Sequence, residues 1–301
     1  MKKKLGEIFN LKFSFLGLIL AYFLIFPTKI FSQDVLPLSV SPAKQELKLN
    51  PGENTIVMID FYNQGDFPVP GVIKKADFLV ENNQGKIRFL EEGSLEVSEY
   101  SAVNWLTLPA NEINLAPKEK TSIPVQINVP NSARPGAKYV SVIFKVLVNQ
   151  LDREIQNNLA VVPQIASLLY IRVNGETVEK AFISLFKAPF FSEYGPLKIE
   201  TEITNNSDYH IRPKGIFSLV DINGKTIDQT ILLEQNIFPN KSRIYTNYLG
   251  KKWLFGRYKI SFMASYGERG QALNRSIYVW VFPWKIAVII IIPLIIAVLL
   301  K

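Results

Sequence analysis

The sequence predicts an all-β chain, two sandwiches in tandem followed by one apolar helix. Three observations lead there. Short stretches rich in β-branched and aromatic residues recur: Thr55–Tyr62, Ser122–Val129, Lys138–Val148, Leu168–Val173, Leu197–Thr204 and Tyr258–Ala264. Turn-forming residues separate them, at Asn50-Pro51-Gly52, Asn63-Gln64-Gly65, Asn83-Gln84-Gly85, Arg134-Pro135-Gly136 and Asn223-Gly224-Lys225. No stretch between residues 33 and 278 shows the apolar spacing of an amphipathic helix. Many short strands between such turns point to antiparallel sandwiches.

The two ends of the chain are read differently. Lys2, Lys3, Lys4 and Lys12 precede an apolar run from Phe13 to Phe26, and Ile30-Phe31-Ser32 closes it. That is the layout of a secretory signal, so residues 1–32 are expected to be cleaved after Ser32. Left uncleaved, they would act as a second anchor. At the other end Trp280–Leu300 is apolar except for Lys285. As one helix it would be about 31 Å long, enough for a hydrocarbon core of about 30 Å. Tyr278, Trp280 and Trp284 suit an interfacial aromatic belt. The expectation is a single-pass protein of the cell membrane, with residues 33–279 extracytoplasmic.

Between the ends the chain repeats itself. Phe61-Tyr62-Asn63 matches Ile203-Thr204-Asn205, a strand that ends in an Asn turn. Asn83-Gln84-Gly85-Lys86 matches Ile222-Asn223-Gly224-Lys225, the tip of a hairpin. Leu115-Ala116-Pro117-Lys118 matches Ile237-Phe238-Pro239-Asn240, a proline turn feeding a strand. Gly136-Ala137-Lys138-Tyr139 matches Gly256-Arg257-Tyr258, a glycine launching a strand whose Tyr is expected to face inward. Order and spacing hold together, which predicts a tandem pair of Ig-like antiparallel β-sandwich domains, 33–174 and 175–279, with a transmembrane helix at 280–300. The copies differ once: 32 positions separate Gly85 from Pro117, but only 15 separate Gly224 from Pro239. The surplus lies within Lys86–Ala116, a stretch that is rich in Glu and also contains Tyr100 and Trp105.

Composition narrows the function. There is no cysteine and only one histidine, His210, so thiolate chemistry and a multi-histidine zinc site are excluded. Five lysines against Glu7 place half of the formal +8 charge in residues 1–32, and the rest shows no basic stripe of the kind that binds nucleic acid. No phosphate-binding loop, G-x-S-x-G or H-E-x-x-H motif is present, so neither an enzyme nor a cofactor is expected. Three aromatic residues are the candidate ligand-binding side chains. Trp105 and Tyr100 sit in the insertion, where a loop on a rigid scaffold can present them. Trp105 would stack on a sugar ring or plug the end of the sandwich, and plugging is favoured. The insertion glutamates lack the Asp/Asn/Gly spacing of a calcium loop. Trp253 lies in Lys251-Lys252-Trp253-Leu254-Phe255, a basic and aromatic loop suited to an anionic polymer, a membrane surface or a plain turn. Phe190, Phe191 and Tyr194 form one more aromatic cluster, expected to pack in the second domain or at the junction.

The order of Ser41-Pro42-Ala43-Lys44, Leu49-Asn50-Pro51-Gly52, Phe61-Tyr62-Asn63, Trp105, Leu115-Ala116-Pro117-Lys118 and Val129-Pro130-Asn131-Ser132-Ala133-Arg134-Pro135-Gly136 resembles the first domain of WxL-interacting proteins. The residue-level likeness is concentrated in roughly residues 40–148. The resemblance implies two Ig-like domains and a C-terminal membrane helix, a first domain that binds peptidoglycan and a second that contacts another surface protein. It assigns no binding residue here. A second resemblance is to periplasmic pilus chaperones, also two Ig-like domains, which hold subunits by β-strand augmentation. An accessory subunit of a membrane complex and a sugar-processing module that lost its catalytic domain are the remaining alternatives.

Overall fold

The computed structural model describes residues 37–90, 96, 98–109, 112–147 and 162–300. The segment read as a secretory signal, residues 1–32, lies outside them, as do Glu91 and Glu92 of the insertion. Among the described residues the fold is all-β apart from a 3-10 turn and one C-terminal helix.

The first sandwich is built from β1 (Leu38–Ser41), β2 (Lys44–Leu49), β3 (Asn54–Asn63), β4 (Val69–Ala76), the small hairpin β5 (Phe78–Val80) and β6 (Ile87–Phe89), β7 (Leu106–Thr107), β8 (Glu112–Leu115), β9 (Lys120–Asn128), β10 (Gly136–Val146) and β11 (Gln164–Val173). One sheet runs β1-β3-β9-β7 and the facing sheet β2-β11-β10-β4-β8. Alternation directs Ile59 and Phe61 of β3, Ile123, Val125 and Ile127 of β9, and Val140, Val142 and Phe144 of β10 into a shared core. The first strand is divided. β1 pairs with β3, β2 runs parallel to β11 in the other sheet, and Pro42-Ala43 lies between them.

The second sandwich comprises β12 (Ala181–Lys187), β13 (Phe191–Ser192), β14 (Leu197–Asn205), β15 (Lys214–Val220), β16 (Thr226–Ile231), β17 (Lys241–Leu249), β18 (Gly256–Tyr266) and β19 (Gln271–Val281). Its sheets run β12-β14-β17 and β13-β19-β18-β15-β16. Phe217 and Phe262 stack at its centre with centroids 4.4 Å apart.

Positions paired by the repeat adopt matching geometry. Asn63 and Asn205 are both fully buried, and each side chain ties its own turn. Lys118 and Asn240 both take a positive φ, 58° and 56°. Gly136 and Gly256 lie at φ 120° and 110°, a region closed to most side chains. The tyrosines differ. Tyr258 faces its own core, whereas Tyr139 stands on the opposite side of β10 from Val140 and Val142. It is buried there because the second sandwich covers that face.

The membrane expectation is corrected here. The C-terminal helix α1 spans Trp284–Leu299, 16 residues or about 24 Å. Among the described residues no helix is long and apolar enough to cross a membrane, which removes the single-pass cell-membrane location inferred from the sequence. The longer span counted Trp280 and Val281 as helical, but their backbones are committed to β19. Trp280 pairs with Arg257 and Phe191, and Val281 with Gly256 and Ser192. A residue held on both sides in a sheet cannot begin a helix, so the apolar run is divided between two structures.

Candidate functional site

Three features compete as sites: the predicted aromatics, the junction between the sandwiches, and the lateral edge of the first sandwich. The predicted aromatics occupy three unrelated settings. Trp105 ends a 3-10 turn, Val103–Trp105, and packs half-buried against the first core. Tyr100 enters the junction, with its ring 6.0 Å from Tyr139 and its hydroxyl 3.0 Å from the Asn240 amide that donates to it. Burial pushes its pKa up to about 12. Trp253 lies near the far end of the second sandwich, 54 % exposed, with Tyr194 edge-on at 5.5 Å and Phe255 near-parallel at 6.5 Å. Phe190 and Phe191 are exposed beside β19 rather than packed in a core or at the junction.

The junction is built around the β5–β6 hairpin, just ahead of most of the insertion. Phe78 of the β5–β6 hairpin packs against Tyr139, Tyr170 and Phe238 at 5.8–6.1 Å, so the apolar core runs from one sandwich into the other. The hairpin tip then reaches the three-stranded sheet of the second sandwich. The Ile244 amide donates to the Asn83 carbonyl at 3.0 Å, the Asn83 side chain donates to Glu202, and Arg243 donates to the Gln84 carbonyl. Around the aromatic centre, Arg212 pairs with Glu46 at 2.8 Å and Arg172 with Glu268 at 3.0 Å. His210 sits between Tyr139 and Tyr170, and its Nδ1 is 3.3 Å from the Tyr139 hydroxyl. Burial lowers its pKa to about 4, against the opposing pull of Glu46. A cleft of about 390 Å³ opens beside this cluster, lined by Lys44, Tyr170, Arg212 and Arg243. Among the described residues no group of three His, Asp or Glu side chains could hold a metal ion.

The lateral edge follows from the divided first strand. β1 covers only Asp60–Asn63 of β3, and β2 covers only Leu168–Val173 of β11. Asn54–Ile59 and Gln164–Ser167 are therefore paired on one side alone among the described residues. The Asn63 amide donates to Glu119 across β9, so by alternation Asn54, Ile56 and Met58 turn their backbone groups away from β9 toward the open side. The Met58 carbonyl accepts the Gln45 side chain at 3.1 Å. Two of the other edges of this sandwich are guarded. β2 alternates Lys44, Glu46 and Lys48, and β9 places Pro124, which has no N–H, toward its open side. The Asn54–Ile59 stretch has no charge and no proline, and Ile56 and Met58 are 64 % and 48 % exposed. The sequence contains this stretch openly, but nothing local reveals that β1 stops short of it.

No family model matches the chain, and no curated protein matches it. Solved structures similar to it include a chain of a chaperone–tip adhesin complex of CFA/I fimbriae, 13 % identical over 79 % of this chain and 97 % of that one, TM-score 0.43. The class 5 fimbriae chaperone CfaA is 14 % identical over 79 % and 98 %, TM-score 0.43. A chain of the CsuC–CsuE chaperone–tip subunit complex of Acinetobacter baumannii is 10 % identical over 81 % and 99 %, TM-score 0.39. At these identities and TM-scores the likeness is loose and assigns no activity.

Proposed function

We propose that this is a non-catalytic, chaperone-like binding protein of two Ig-like sandwiches that holds another polypeptide by β-strand addition to the edge of its first sandwich. The supporting observation is the unguarded run Asn54–Ile59, which offers the backbone groups of Asn54 and Ile56 and the Met58 N–H beside exposed Ile56 and Met58. An edge like this pairs with whatever extended chain reaches it, and proteins ordinarily blunt it with charge, proline or a covering element. Here β2 carries alternating charges and β9 a proline, and the Asn54–Ile59 run has neither. Main-chain hydrogen bonds would supply affinity and alternate side chains the selectivity.

The test is a displayed library of short unstructured peptides selected against the full chain, followed by hydrogen exchange of the complex. Selected peptides should alternate apolar residues and protect the amides of Asn54, Ile56 and Met58. Ile56→Pro should weaken binding at least about tenfold, or about 1.4 kcal/mol, with no change in melting temperature. Protection confined to another edge, or full binding by a folded Ile56→Pro variant, would end the proposal.

A further inference from the structure

The outer face of the five-stranded sheet in the second sandwich has a composition that strand addition does not use. Strand register aligns its outward side chains in rows. Phe191, Trp280 and Arg257 form one row, and Tyr278, Lys259 and Val220 the next. The third row is Ser276, Ser261, Ser218 and Gln229, four hydroxyl or amide groups in succession. The Arg257 guanidinium lies 4.0 Å over the Tyr278 ring. Stacking occupies the flat face of the guanidinium and leaves the donors on its edge available. Tyr278 and Trp280 are each about half exposed.

No outward position of β18 or β19 on this face carries a carboxylate: the series are Arg257, Lys259, Ser261, Met263 and Ser265, then Ala272, Asn274, Ser276, Tyr278 and Trp280. Arg257 and Lys259 make no ion pair among the described residues. The turn leading into β18 adds Lys251, Lys252 and Trp253, with the Lys252 ammonium 5.5 Å from the indole. Exposed aromatics beside cations without carboxylate partners form a patch suited to an anionic ligand with apolar faces.

We propose that this face binds an anionic polysaccharide. Trp280 and Tyr278 offer flat faces to the C–H sides of sugar rings. Arg257 and Lys259 take the carboxylate or phosphate charge of the polymer. The row of three serines and Gln229 matches a ligand bearing many hydroxyls, and this favours a glycan over a nucleic acid. The site lies on the second sandwich and does not depend on strand addition at the first.

Affinity electrophoresis of the full chain tests it, with alginate in the gel as the anionic probe. Parallel gels carry dextran as a neutral glycan and single-stranded poly(dT), and vesicles of anionic phospholipid are tested by flotation. Alginate should retard the chain, dextran should not, and added salt should release it. Arg257→Ala and Lys259→Glu should each weaken retardation at least about tenfold with unchanged melting temperature, and Trp280→Ala should do the same. No retardation by alginate, or equal retardation of wild type and the two charge variants, overturns the proposal. Stronger binding to poly(dT) or to vesicles than to alginate overturns it in favour of that other anion.

Discussion

Replacing Asn63 or Asn205 by Ala should cost each sandwich about the same amount, because each side chain performs the same work in its own turn. Asn63 donates to the carbonyls of Phe67, Leu115 and Ala116 at 2.7–3.1 Å and accepts the Gly65 amide at 2.9 Å. Asn205 donates to Tyr209 and Ile237, both at 2.9 Å, and accepts the Ser207 amide at 2.8 Å. Both are fully buried. Truncation removes the side-chain partner of four backbone groups at Asn63 and three at Asn205. The Ala116 and Ile237 carbonyls keep the amides of Glu119 and Ile211, and each group left unpaired costs about 1–3 kcal/mol before water enters the gap. A loss of about 3–5 kcal/mol is expected at either position, a large part of the 5–15 kcal/mol typical of a domain. Asn→Asp should rescue little, since a carboxylate accepts the Gly65 or Ser207 amide but cannot donate to the carbonyls. Urea unfolding followed by tryptophan fluorescence measures it, with Trp105 in the first sandwich and Trp253 in the second. A loss below about 1 kcal/mol at either site would refute the reasoning, because the amide would then not be satisfying the turn.

Two further outcomes follow from the junction. His210 is held neutral by burial, its pKa lowered to about 4 from 6.5. Above pH 6.5 this costs nothing. As pH falls from 6.5 toward 4 the unfolded chain takes up a proton that the folded chain refuses, so stability should fall by up to about 3 kcal/mol; urea midpoints across that range should show the slope, and His210→Gln should flatten it. Phe78→Ala should cost about 3–5 kcal/mol, since the ring is buried among Tyr139, Tyr170 and Phe238. It should also loosen the sandwiches relative to each other, which small-angle scattering would register as a larger radius of gyration; an unchanged radius and stability would deny the hairpin its linking role.

The sequence by itself determined the local geometry and the repeat. Strand-forming stretches, glycine and proline turns, and the Asn turn that ends β3 and β14 are properties of a few consecutive residues, so their spacing is legible without a structure; the burial of Asn63 and Asn205 is not. It also located the aromatic candidates Tyr100, Trp105 and Trp253, but not what surrounds them. Only tertiary structure decided those matters, because each depends on partners distant along the chain. Tyr139 has the same strand context as Tyr258, yet the second sandwich covers its outward face, and alternation alone cannot tell a buried exterior from a core. Trp280 and Val281 are apolar enough for a helix, but Phe191, Ser192, Gly256 and Arg257 hold them in a sheet. The open edge at Asn54–Ile59 exists because the first strand changes sheets at Pro42 and covers only the far end of β3. A missing neighbour is a non-local fact, and no residue within the stretch encodes it.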